Sequence, residues 1–160
     1  MKISIGIIVS IITLLMFGGV ATSSIAEGKK SLSKQAKEKA ILHQEKGSKL
    51  DDEGEFDSAV SEYKKSLELD PENPDTLFNL GVLYLKINKA EDGINIFEKL
   101  TKLLPKDNEV FNLLGIAYSG VGKKSEVVKV WEKSLSIQPD QQKVKEMIAE
   151  IRTASAEIKK

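Results

Sequence analysis

The residues of this 160-residue chain with chemistry to offer are few. His43 is the single histidine and cysteine is absent, which rules out a histidine cluster, a thiolate metal site, a disulfide and a cysteine nucleophile within one chain. The adjacent carboxylates Asp51-Asp52 and Glu91-Asp92 have the composition of an acid/base pair. Both fall at expected helix ends, however, where turn formation and complementation of the helix dipole account for them. Neither a phosphate-cradling glycine loop nor a nucleophile elbow occurs. The expectation is a chain without catalysis, metal or cofactor, in which His43 is a packing residue on its helix.

Charge narrows the partners. Lysine plus arginine and aspartate plus glutamate number 24 each, and Arg152 is the only arginine. A neutral chain without the side chain suited to bidentate phosphate and guanine contacts is not built for nucleic acid. With 41% apolar and 30% charged residues it has the make-up of a globular protein held by packing alone.

The amino terminus reads as a targeting segment. Lys2 is followed by an uncharged apolar run from Ile3 to Phe17, and Ser24-Ile25-Ala26 precede Glu27. A basic start, an apolar core and small residues before a cleavage point describe an export signal over 1–26. The alternative is an uncleaved anchor, since Ile3 to Val20 approaches the length of about 20 residues that spans a bilayer. Either way the remainder is expected outside the cytoplasm, periplasmic or secreted, or membrane-anchored and facing outward. Residues 27–39 carry Lys29, Lys30, Lys34, Lys37 and Lys39 and read as a polar lead-in to the first helix.

Beyond it the chain repeats itself. Gly81 and Gly115, Tyr84 and Tyr118, Asn88 and Gly122, and Pro71, Pro105 and Pro139 all keep a spacing of 34 residues. Three units follow, 40–73, 74–107 and 108–141, together spanning 40–140 before a last helix and tail over 141–160. Each unit reads as two helices. Asn73 and Asp107 are natural N-caps, and Pro74 sits where its missing N–H costs nothing. Leu77, Leu80, Gly81 and Tyr84 form one packing face, with Leu114, Gly115 and Tyr118 as their counterparts. The second helices turn Ala59 and Tyr63, then Ile94, Phe97 and Leu100, then Val127 and Trp131 inward. Gly93 is expected to permit a close helix contact. Val144, Met147, Ile148, Ile151 and Ile158 share one face of the last helix, as a cap for the stack requires.

At these columns the chain resembles the tetratricopeptide repeat family, with its W-x2-L-G-x2-Y, A-x3-F and P pattern. Leu77, Leu80, Gly81, Tyr84, Phe97 and Pro105 match in the second unit, and Phe111, Leu114, Gly115, Tyr118, Trp131 and Pro139 in the third. The first unit departs from it, with His43 in the tryptophan column and Lys46 in the leucine column. The resemblance implies an all-α fold: three antiparallel helix pairs stacked in a right-handed superhelix, closed by a C-terminal capping helix. It also implies that the first helices line a concave surface holding a peptide or helix of another protein.

On that surface the stripe opposite the packing face should meet the ligand. In the second unit it comprises Asp75, Phe78, Asn79, Val82, Leu85 and Lys86; in the third, Glu109, Asn112, Leu113, Ile116 and Ser119. Phe78, Val82, Leu85 and Ile116 form an apolar floor for a partner's side chains, and Asn79 and Asn112 are candidates to hydrogen-bond its backbone. The competing expectation is that Val82, Leu85 and Ile116 are covered by neighbouring helices. Gln44, Glu45, Ser48, Asp51 and Asp52 make the first unit's end acidic, which suits a basic segment. Family members that clamp the acidic carboxyl terminus of cytosolic chaperones place lysine, asparagine and arginine where this chain has Gln44, Ser48, Asn79, Glu109 and Leu113. Only Asn79 matches. The expected role is an extracytoplasmic adaptor or assembly factor. The alternatives are a self-associating scaffold and a membrane-tethered accessory subunit.

Overall fold

The computed structural model describes residues 33–157. Residues 1–32, including the segment read as an export signal, and Ile158 lie outside the described residues. The chain divides between Lys39 and Ala40 into two units.

The described residues form seven helices and no strand: α1 (33–52), α2 (Phe56–Leu69), α3 (Pro74–Lys86), α4 (Ala90–Leu103), α5 (Asn108–Gly120), α6 (Lys124–Ile137) and α7 (Gln142–Glu157). Helix α1 begins within the expected lead-in. Ala36 and Ala40 favour helix there, and Lys34 Nζ lies 3.8 Å from Glu38 one turn on.

The 34-residue period is written into the turns. Among the described residues Gly54, Asn88 and Gly122 are those with positive φ, at 80°, 58° and 72°. Each closes a helix in the same way. The N–H groups of Glu55, Lys89 and Lys123 reach back to the carbonyls of Leu50, Tyr84 and Tyr118 at 2.8, 2.8 and 3.0 Å, which satisfies carbonyls the helix leaves open. Between units, Pro71 and Pro105 occupy tight turns closed by Asn73 N–H to Asp70 O and Asp107 N–H to Leu104 O, both 3.2 Å. Asn73 Oδ1 then accepts from Thr76 N–H at 3.0 Å, and Asp107 Oδ1 from Glu109 N–H at 3.0 Å, starting α3 and α5 as N-caps.

Packing follows the same columns. Leu80, Leu83 and Tyr84 of α3 are buried with Ala59 and Tyr63 of α2, so each unit's first helix leans on the second helix of the unit before it. A larger cluster joins Leu77, Phe97, Leu114 and Trp131 to Val144 and Ile148 of α7, which closes the stack as expected. Within each pair, the glycine of the first helix faces the aromatic of the second. A Cβ on Gly47 would come within 2.8 Å of the Tyr63 ring, on Gly81 within 2.7 Å of Phe97, and on Gly115 within 2.0 Å of Trp131 Nε1. Gly93 differs from expectation: its nearest neighbours would be Leu85 Cδ2 at 3.6 Å and Gly81 O at 3.7 Å, ordinary contacts. No close approach requires it.

His43 also goes beyond expectation. Beyond packing on its helix, it is part of an ionic cluster centred on buried Glu62, whose Oε2 accepts from His43 Nδ1 at 2.7 Å. The other oxygen accepts from Lys46 at 3.0 Å and Lys65 at 2.9 Å. Lys65 and His43, helped by Lys46, hold the Glu62 carboxyl down at about 2 against the upward push of burial. The aligned columns explain the exchange. His43, Lys46 and Glu62 correspond to Leu77, Leu80 and Ile96, and to Phe111, Leu114 and Val130. Leu80 meets the preceding unit's α2. In the first unit these same columns hold polar groups that pair with one another instead.

Candidate protein-binding groove

The first helices of successive units are brought side by side by contacts along one face. Lys86 Nζ donates to Asp51 Oδ1 at 2.7 Å and lies 4.7 Å from the centre of the Phe56 ring, joining α3 to α1 and α2. Asn112 Nδ2 donates to Gln141 Oε1 at 2.6 Å, joining α5 to the residue that opens α7. Gln141 occupies the column of Asn73 and Asp107, and its Nε2 donates to Ser134 Oγ at 2.9 Å and Gln138 O at 2.8 Å.

Between these ties lies the stripe read from the sequence. Phe78, Val82 and Leu85 are half-buried, each with one side packed on the core. Ile116 is 48% exposed and is the one apolar member of the stripe that stands free of cover. Asn79 is half-buried, and Glu109 is exposed. Lys86 and Asn112 are engaged internally through the contacts above, and Asn112 Oδ1 is buried without a hydrogen-bond partner. The floor is therefore partly core and partly surface: the side chains are held in place from below while their upper edges remain accessible.

Three hollows among the described residues lie elsewhere. One of about 520 Å³ opens between α6 and α7 beside Val128, Ile151 and Arg152. Another, about 490 Å³, lies beside Lys46, Leu50 and Glu62. A third of about 380 Å³ lies among α4, α5 and α6, where Tyr118 O–H donates to Glu98 Oε1 at 2.5 Å. Burial and the Glu98 carboxylate, with Glu126 nearby, push the Tyr118 phenol up to about 12, which keeps it a donor. None of the candidate ligand-facing residues lines these three hollows. A shallow groove, not a pocket, fits an extended or helical segment better than a small molecule.

Several polar residues that shape the fold escape a reading by periodicity. Ser66 Oγ and Thr76 Oγ1 hydrogen-bond at 3.0 Å, both fully buried, and Ser134 Oγ donates to Asn108 O at 3.0 Å. Ser66 and Ser134 stand 68 residues apart, two periods, and that recurrence is the one trace they leave in the sequence.

Comparison with known proteins agrees with this architecture. A TPR-repeat model matches residues 47–88 and a tetratricopeptide-repeat model matches residues 74–107. Residues 47–107 thus carry tetratricopeptide repeats. Among solved structures it resembles the first TPR of Spaghetti (RPAP3) bound to the HSP90 peptide SRMEEVD, at 25% identity over 75% of this chain and 95% of that one, with a TM-score of 0.67. A crystal structure of MamA matches at 26% identity over 69% of this chain and 65% of that one, TM-score 0.65. The second TPR domain of human RPAP3, in complex with the HSP70 peptide SGPTIEEVD, shares the fold at 23% identity over 73% and 98%, TM-score 0.66. The comparison with curated protein sequences gives no match.

Proposed function

We propose that the chain is a non-catalytic protein-interaction module, an adaptor or assembly factor that holds a peptide or helix of a partner against the inner face of α3 and α5, and that it works outside the cytoplasm. The observation that carries the groove is Ile116, 48% exposed and continuous with the half-buried Phe78, Val82 and Leu85 in a stripe rimmed by polar groups. Support for a peptide as occupant comes from the similar RPAP3 domains, whose structures hold peptides of HSP90 and HSP70. The extracytoplasmic setting rests on the apolar run after Lys2 and the small residues before Glu27.

Two measurements test the parts separately. Ile116→Glu, at a position exposed enough to accept a charge, should abolish partner binding without loss of helical circular dichroism; unchanged binding would remove the groove from the account. Mass spectrometry of the mature amino terminus should find Glu27 first. An intact Met1 would instead favour a membrane-tethered subunit.

A further inference from the structure

The sign of the charge around the groove specifies its occupant more narrowly. Starting at Ala40, the exposed ionisable residues on the inner stripes are Glu45 and Asp52 of α1, Asp75 of α3, Glu109 of α5, and Glu146 and Glu150 of α7. Against them stand Lys143 and Lys86, and Lys86 is already paired with Asp51. None of the six carboxylates takes part in an ion pair among the described residues. The whole chain is neutral, so this acidity is local.

Local helix chemistry explains only part of it. Asp75 and Glu109 sit in the first turns of α3 and α5, where the helix dipole favours a negative charge. Asp52 ends α1, where the dipole opposes a carboxylate, and Glu45 and Glu150 lie well inside their helices. These three gain nothing from position, and like charges on neighbouring helices repel. Carboxylates without an ion-pair partner around a partly apolar floor are complemented by an incoming cation.

We infer that the groove takes a basic amphipathic segment of a partner protein, with apolar side chains on Phe78, Val82 and Ile116 and lysine or arginine reaching Asp52 and Asp75 at one end, Glu109 and Glu150 at the other. This rests on the groove reading above. It sets the chain apart from the similar domain that holds SRMEEVD, a peptide with three carboxylate side chains and one arginine. Here Glu109 would repel such a ligand.

The test uses the full chain and two labelled probe peptides of equal length, with the same leucines at helical spacing and either lysine or glutamate at every polar position. Fluorescence anisotropy should show the lysine peptide binding at least about tenfold more tightly at low salt, as a few screened surface pairs together supply. That preference should shrink as salt is raised past about 0.5 M, and the double variant Asp75→Lys/Glu109→Lys should abolish it. Equal or tighter binding of the glutamate peptide overturns the charge assignment while leaving the groove reading intact. A lysine-peptide affinity that ignores both the double variant and Ile116→Glu overturns both. A dimer in sedimentation that the double variant dissociates would replace the partner segment with a second copy of this chain.

Discussion

The Cβ that Gly115 lacks would lie 2.0 Å from Nε1 of Trp131, whose N–H donates to Asn112 O at 3.2 Å. The missing side chain is thus what allows the indole to cross α5 and bond its backbone. Gly115→Ala forces the ring, 4% exposed in the native core, out of that position. We expect a loss of about 1–3 kcal/mol or more, as overpacking costs, with a red shift of fluorescence from the only tryptophan.

Gly93 supplies the contrast. A methyl there meets its nearest atom at 3.6 Å, an ordinary contact, and removes a glycine from the first turn of α4. Gly93→Ala should therefore stabilise the protein, by up to about 1 kcal/mol in chemical denaturation. A loss of stability would mean that the two helices are closer in solution than described.

Asn88 holds φ 58° at the turn where the other units use Gly54 and Gly122. Asparagine tolerates this conformation better than other side chains. Asn88→Ala should cost about 1 kcal/mol, and Asn88→Gly should be neutral or mildly stabilising. Thermal midpoints of the three proteins check the order.

The Glu62 cluster predicts a pH response. A carboxyl lowered from 4.5 to about 2 on folding contributes stability that is present in full above 4.5 and is lost as pH falls through that window toward 2. Glu62→Gln should lower the thermal midpoint at neutral pH and flatten its decline between those values. A variant with the same acid limb as the native chain would show that the cluster does not form.

The period made most of the scaffold legible, because close contact, left-handed turn and N-cap each return in one column filled by the few residue types that suit it. What it concealed are contacts set by partners far along the chain. Lys86 and Asp51 are 35 residues apart, and His43 and Glu62 are 19 apart. On its own helix each reads as a solvated charge or, for His43, as packing. Gly93 misled for the opposite reason: a glycine at helical spacing looks like a contact, and only the distance to α3 shows that it is not. At the groove, periodicity placed Phe78, Val82 and Ile116 on one stripe but could not say how much of each the neighbouring helices leave open. Nor could it show that Asn112 turns its amide toward Gln141.

The central claim is that a partner lies against the inner face of α5. A photoreactive amino acid placed at position 116, and in a second protein at exposed Lys133 of α6, tests it directly in the native setting. One discrete crosslinked protein is expected from position 116, removed by Asp75→Lys/Glu109→Lys, and none from position 133. Crosslinking from 116 unaffected by the charge reversal would overturn only the basic character of the partner segment, whereas crosslinking from 133 alone would contradict the claim itself.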